Sequence, residues 1–95
     1  MTLRKEARDR PCMVRVPGVC NHNPETTVLA HVRMIGVSGL GVKAGDILGA
    51  WACSGCHAEI DGQTHLSGYS RPELRLMHLE GMVRTISQLA KEGKI

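Results

Sequence analysis

Hydrophobic positions recur along this chain with two different periods, and the change of period marks its elements. Near the C-terminus Leu79, Met82, Val83, Ile86 and Ala90 fall at i, i+3, i+4, i+7 and i+11, the spacing of one face of an α-helix. Ser70 with Glu73 three residues on reads as a capping box, Pro72 is tolerated in a first helical turn, and Gly93 supplies a stop. The pattern predicts a helix over 70–92 with that stripe facing the core and with Arg71, Arg75 and His78 together on another face, read as solvent-facing first and as nucleic-acid-facing second. Upstream, the β-branched run "TTVLAHVRM" predicts a strand with His31 near its end, and "ILGAWAC" predicts a second strand returning antiparallel to it. Between them "GVSGLGVKAGD", with four glycines in eleven residues, predicts an exposed loop. Pro17-Gly18 and "NHNPE" predict turns, "HAEID" a short helix closed by Gly62, and residues 1–11 an arm with a helical turn before Pro11.

Composition changes this picture by showing how little there is to pack. The 95 residues suit one domain, 1–95, but they include no Phe, one Trp, one Tyr and eleven Gly. A core this thin calls for a staple. Four cysteines are available, as Cys12-x7-Cys20 and, after a 32-residue gap, Cys53-x2-Cys56. Two pairs that each close a short loop are the usual build of a tetrahedral zinc site. Buried free thiols are the plainer alternative; a redox pair is a third, although no thioredoxin-like alternation of strands and helices surrounds it. With no apolar run long enough to span a membrane and a charged start, "MTLRKEARDRPC", the chain is expected in the cytoplasm, where thiols stay reduced.

The net charge of +3 says little, but its distribution says more. Arg4, Lys5, Arg8, Arg10 and Arg15 crowd the first fifteen residues against Glu6 and Asp9. Arg4, Arg8, Arg10 and Arg15 are therefore candidate phosphate contacts, with a solvated basic arm as the bland alternative.

Among the histidines, His22 lies beside Cys20 but is not needed where four cysteines are present, His65 sits beyond Gly62, and His78 has no special role on its helix face. His31 and His57 differ. A hairpin of the two strands ties His31 to the sheet leading into Cys53, and a helix starting at the second cysteine pair puts His57 and Asp61 four apart on one face. Imidazole with carboxylate is a competent pair for one divalent cation, magnesium or another, and a strand histidine opposite it suits phosphodiester hydrolysis.

These residues resemble the HNH (ββα-metal) nucleases. "VLAHVR" and "GAWACSGCHAEIDG" look most like the small phage and prophage nuclease family that includes YbcO, over about residues 5 to 90. The resemblance implies an α+β fold: a zinc-stapled ββα-metal core over 12–66, made of a β-hairpin and a short helix, followed by the longer C-terminal helix. It implies His31 as general base, His57 as ligand of a catalytic divalent metal, and Asp61 where many members carry a further His or Asn. Cys12, Cys20, Cys53 and Cys56 then hold a structural zinc. It also implies endonuclease action on DNA, with a recombination or replication protein as a second candidate partner. Two positions depart from the pattern: Ala30 stands where a first metal ligand is common, and the middle Asn has no clear counterpart, Asp46 in "AGDILGAW" lying near its place but aligning poorly. Those departures support the alternative, a non-catalytic zinc-stabilised module that binds nucleic acid or protein.

Overall fold

The computed structural model describes residues 3–33 and 45–95. A first helix, α1 (Leu3–Glu6), is followed by a long clamp loop and a single 3-10 turn at Pro24–Thr26. Strands β1 (Val28–His31) and β2 (Gly49–Ala52) then make a two-stranded antiparallel sheet. Helix α2 (Ser54–Ile60) follows directly, and α3 (Arg71–Lys91) closes the chain. The molecule is thus a small α+β unit with a long C-terminal helix. Most of the glycine-rich loop expected between the strands lies outside the described residues.

The hairpin has the predicted orientation, with Val28 opposite Ala52 and His31 opposite Gly49. Every residue of β2 is buried, because other elements cover both of its sides. The Met13 N–H donates to the Trp51 carbonyl at 2.7 Å, and the Trp51 N–H donates to Thr85 Oγ at 3.0 Å. The Thr85 hydroxyl in turn donates to the Gly81 carbonyl at 2.8 Å. A strand edge that would otherwise carry orphan polar groups is therefore satisfied by a loop and by one helix side chain.

Helix α3 starts as predicted: the Ser70–Glu73 capping box is formed and Pro72 sits in the first turn. Its buried face is a correction. The predicted stripe ran through Val83 and Ala90, yet Val83 is 62 % exposed and Ala90 is exposed, while Leu74, Gly81, Thr85 and Leu89 are the buried positions. The reason is close approach. A Cβ on Gly81 would lie 2.9 Å from Val14 Cγ2 and 3.0 Å from Val14 Cα, so the helix meets a neighbouring backbone where no larger residue fits.

Residues 3–11, the described part of the expected basic arm, are folded onto this core. Ala7 is buried and packs with Met13, Trp51 and Leu89. Arg10 is likewise a correction to the set of candidate phosphate contacts. Its guanidinium lies 4.6 Å over the Trp51 ring, bonds Glu6, and grips Glu92 at the end of α3 through both carboxylate oxygens. Every strong contact it makes is internal.

Candidate metal centre and the clefts around His31

The four cysteines converge from two loops. Pro17-Gly18 turns the first, with the N–H groups of Val19 and Cys20 both bonded to the Val16 carbonyl, which folds Cys20 back towards Cys12. Cys53 is the N-cap of α2, and its sulfur accepts the Cys56 N–H, so the second pair is fixed by the start of a helix. Gly55 allows the two loops to meet: a Cβ there would fall 2.6 Å from the Val19 carbonyl oxygen.

All four thiols are free, and their sulfurs lie within 4.8 Å of one another. A tetrahedral cation with metal–sulfur bonds of about 2.3 Å needs sulfur–sulfur edges of about 3.8 Å. Cys53 and Cys20 are 3.8 Å apart. Backbone N–H groups aim at the cluster, from Arg15 to Cys12 at 3.5 Å and from Val16 to Cys56 at 3.4 Å, and the imidazole of His22 stands 3.6 Å from Cys20. Four thiols this close cannot ionise independently. The Cys12 thiol is drawn down to about 4, first by the hydrogen bond from Cys56 and then by backbone N–H groups, while burial foremost pushes Cys20 up to about 11. A divalent cation resolves that conflict by neutralising several thiolates together. The residues fit a metal ion, and His22 is a neighbour of the cluster rather than one of its four sulfurs.

His31 ends β1, and its Nε2 lies 2.8 Å from Asp46 Oδ1. Asp46 also faces Arg4 at 3.4 Å. The hydrogen bond from His31 comes first in holding the Asp46 carboxyl below its ordinary value, and the Arg4 charge assists. An ionised Asp46 can only accept, so the Nε2–H tautomer of His31 is selected and Nδ1 carries the lone pair. On α2 the predicted i, i+4 pair is formed, with His57 Nε2 3.1 Å from Asp61 Oδ2. Among the described residues, no third His, Cys, Asp or Glu brings a ligand atom close enough to make that pair a triad.

Two clefts meet at His31. One, of about 390 Å³, lies between α1 and β1 and is lined by Arg4, Arg8, Thr27, Val28, Leu29 and His31. The other, of about 70 Å³, lies between the end of β1 and α3, where Arg33, Asp61, Arg71, Arg75 and His78 surround His31. The structure thereby brings His31 and Asp61 to one cleft, with His57 beside it through Asp61.

His78 belongs to this site, although its helix face read as solvent. Its Nε2–H donates to the Ala30 carbonyl at 2.8 Å, and burial foremost lowers its pKa. A line through Leu74, Gly81, Thr85 and Leu89 passes through His78 as well, so the true helix face was the signal that would have found it. Arg15 bonds the Cys12 carbonyl and Met13 sulfur, which commits it to the clamp loop, and His65 is exposed.

Comparison with known proteins decides the family. The family model described as "Putative nuclease YbcO" matches residues 1–94. The chain belongs to the YbcO family. It is 53% identical over 95 residues to "Putative nuclease YbcO" of Escherichia coli (strain K12), covering 98% of this chain and 95% of that protein. The same figures hold for "Putative nuclease ybcO" of Enterobacteria phage 82. A solved structure described as "Structure of a putative bacteriophage protein from Escherichia coli str. K-12 substr. MG1655" superposes with a TM-score of 0.82 at 48% identity, over 97% of this chain and 100% of that one. Its relatives thus include a phage protein, and its family carries the description "Putative nuclease".

Proposed function

We propose that this YbcO-family protein is a metal-dependent endonuclease of the HNH (ββα-metal) type, hydrolysing phosphodiester bonds in DNA in the cytoplasm, with a structural zinc on Cys12, Cys20, Cys53 and Cys56. The observation that carries the reading is the α3 cleft, where a tautomer-fixed His31 faces Asp61 and its partner His57.

In this mechanism His31 Nδ1 takes a proton from the attacking water, and Asp46 stabilises the imidazolium that results. The water oxygen bonds to phosphorus as the bond to the leaving sugar oxygen breaks, and that oxygen is protonated from solvent. His57 and Asp61 would hold the catalytic divalent cation, magnesium or another; when bound, it supplies positive charge for the phosphate and the leaving oxygen. His57 and Asp61 are only two protein donors, so a cation held there would need further donors from substrate phosphate and water. Asp46 takes the part of the middle residue that orients the base, fifteen positions after His31. Nδ1 is the base atom because Nε2 is already committed.

The same shortage of donors, with Ala30 beside His31, favours a second reading: a non-catalytic zinc-stabilised module that grips nucleic acid. Titrating magnesium and manganese in a DNA cleavage assay separates the two. Under the nuclease reading wild type cuts only with added divalent cation, and Asp61→Asn raises the half-activating concentration roughly 10-fold or more, a loss typical of weakened metal sites. Cutting that needs no added cation, or the same titration in the variant, contradicts this assignment of the metal site. No cutting by either protein supports the module.

A further inference from the structure

Among the described residues the arginines divide sharply by what their guanidiniums touch. Arg4 pairs with Asp46, Arg10 with Glu6 and Glu92, Arg15 and Arg84 with clamp-loop backbone, and Arg71 caps the last carbonyls of α2. The guanidiniums of Arg8, Arg33 and Arg75 make no hydrogen bond or ion pair among the described residues, and all three residues are exposed. Each of the three lines one of the two clefts that meet at His31: Arg8 on the α1 side, Arg33 and Arg75 on the α3 side. The acids nearby are already matched, Asp46 by His31 and Arg4 and Asp61 by His57. Three unmatched guanidiniums in two clefts that share one histidine leave a positive surface around it.

We infer that a continuous sugar–phosphate backbone crosses His31 through both clefts, one phosphate bound by Arg8 on one flank and others by Arg33 and Arg75 on the other. The inference rests on the nuclease reading for the role of His31, and it names the substrate as an internal phosphodiester within a longer strand. Several features favour the backbone over the bases. At about 70 Å³ the α3 cleft is far smaller than the roughly 300 Å³ at which small-molecule pockets begin, so on that side it suits a phosphate rather than a nucleoside, while the roomier α1 cleft of about 390 Å³ is assigned by its basic lining alone. Trp51 is fully buried, and the other aromatic residue, Tyr69, packs against the core, so neither forms a stacking platform at His31. Guanidinium contacts to phosphate position a strand and carry no sequence information. Such a track therefore binds DNA with little regard to sequence and has no need of a strand end.

The test measures binding of a fluorescein-labelled DNA duplex against salt, on the zinc-loaded full chain without added magnesium or manganese. Wild type, Arg8→Gln, Arg33→Gln and Arg75→Gln are compared, with Arg84→Gln, whose partner is the Met13 carbonyl, as the control. Each of the three cleft variants is expected to weaken binding and to lower the slope of log affinity against log salt by about one, while Arg84→Gln leaves the slope unchanged. A lower slope on one flank alone, or in none of the three, overturns the track. A second arm adds magnesium and offers closed circular plasmid beside linear DNA. Nicking of the circle supports a track open at both ends. Loss of DNA only from linear ends overturns the track while the nuclease reading stands. Three lowered slopes with no cutting of either DNA uphold the track and overturn the nuclease reading.

Discussion

Arg10 and Arg75 carry the same side chain and serve opposite ends, and only their surroundings decide which. Arg10 lies over Trp51 and joins α1 to the end of α3 through Glu92, whose carboxyl is held down to about 2, first by Arg10 and then by Gln88. Because the folded-state value is depressed, the stability this contact contributes is fully present above the ordinary carboxylate value of 4.5 and is lost as pH falls from there towards 2. Glu92→Gln should therefore flatten the acid limb of a stability–pH curve between those values and leave its neutral limb parallel to wild type; urea melts across that range check this, and an acid limb as steep as wild type contradicts it. In sequence Arg10 is one more charge in a basic run, since nothing local shows that Glu92, 82 positions away, will receive it. The same blindness applied to Asp46. Its pairing with His31 spans the hairpin and reads in the sequence only as a poorly aligned acidic residue.

At the scale of elements the hairpin, the helix after the second cysteine pair and the capped C-terminal helix were all legible, because each has a local signal: β-branched runs, a C-x2-C followed by a helix former, and Ser70 with Glu73. The face that α3 buries was not. Hydrophobic periodicity scores side chains by transfer from water, whereas this helix is seated by a glycine that admits close approach and a threonine that satisfies a strand edge. Both are poor in apolar surface, so hydrophobic periodicity runs the stripe through Val83 instead and leaves His78 on the solvent side. Close approach governs the clamp as well. Gly55→Ala places a methyl group 2.6 Å from the Val19 carbonyl oxygen, a backbone atom that cannot step aside alone. The gain in helix propensity of about 1 kcal/mol is outweighed by overpacking of about 1–3 kcal/mol and by separation of the two cysteine loops. The variant should melt several degrees lower and release its metal to a chelator faster than wild type. Unchanged melting and metal retention would contradict the close contact.

Taken whole, the molecule is a thin core with one cluster of four cysteines placed to bind a metal ion as its staple, and the candidate catalytic residues hang from the elements that cluster joins. Cys53 and Cys56 set the start of α2, which carries His57 and Asp61, while Ala30 next to His31 is held by His78 from α3. Structural zinc in small domains contributes about 10–16 kcal/mol of apparent binding energy, as much as the whole stability of an ordinary domain. Stripping the metal with a strong chelator at neutral pH is thus expected to abolish cooperative thermal unfolding, and adding zinc back should restore it. A chelated protein that still melts cooperatively at the same temperature would show that the cluster is not the staple. The central claim is that His31 is the base of a nuclease held in place by that staple. The most direct measurement is nicking of closed circular plasmid by wild type and His31→Ala, with magnesium present and zinc content determined on both. Equal zinc, equal folding and a loss of nicking by about 100-fold or more are expected in the variant, the scale of a missing general base. Nicking that persists in His31→Ala at the wild-type rate would contradict it.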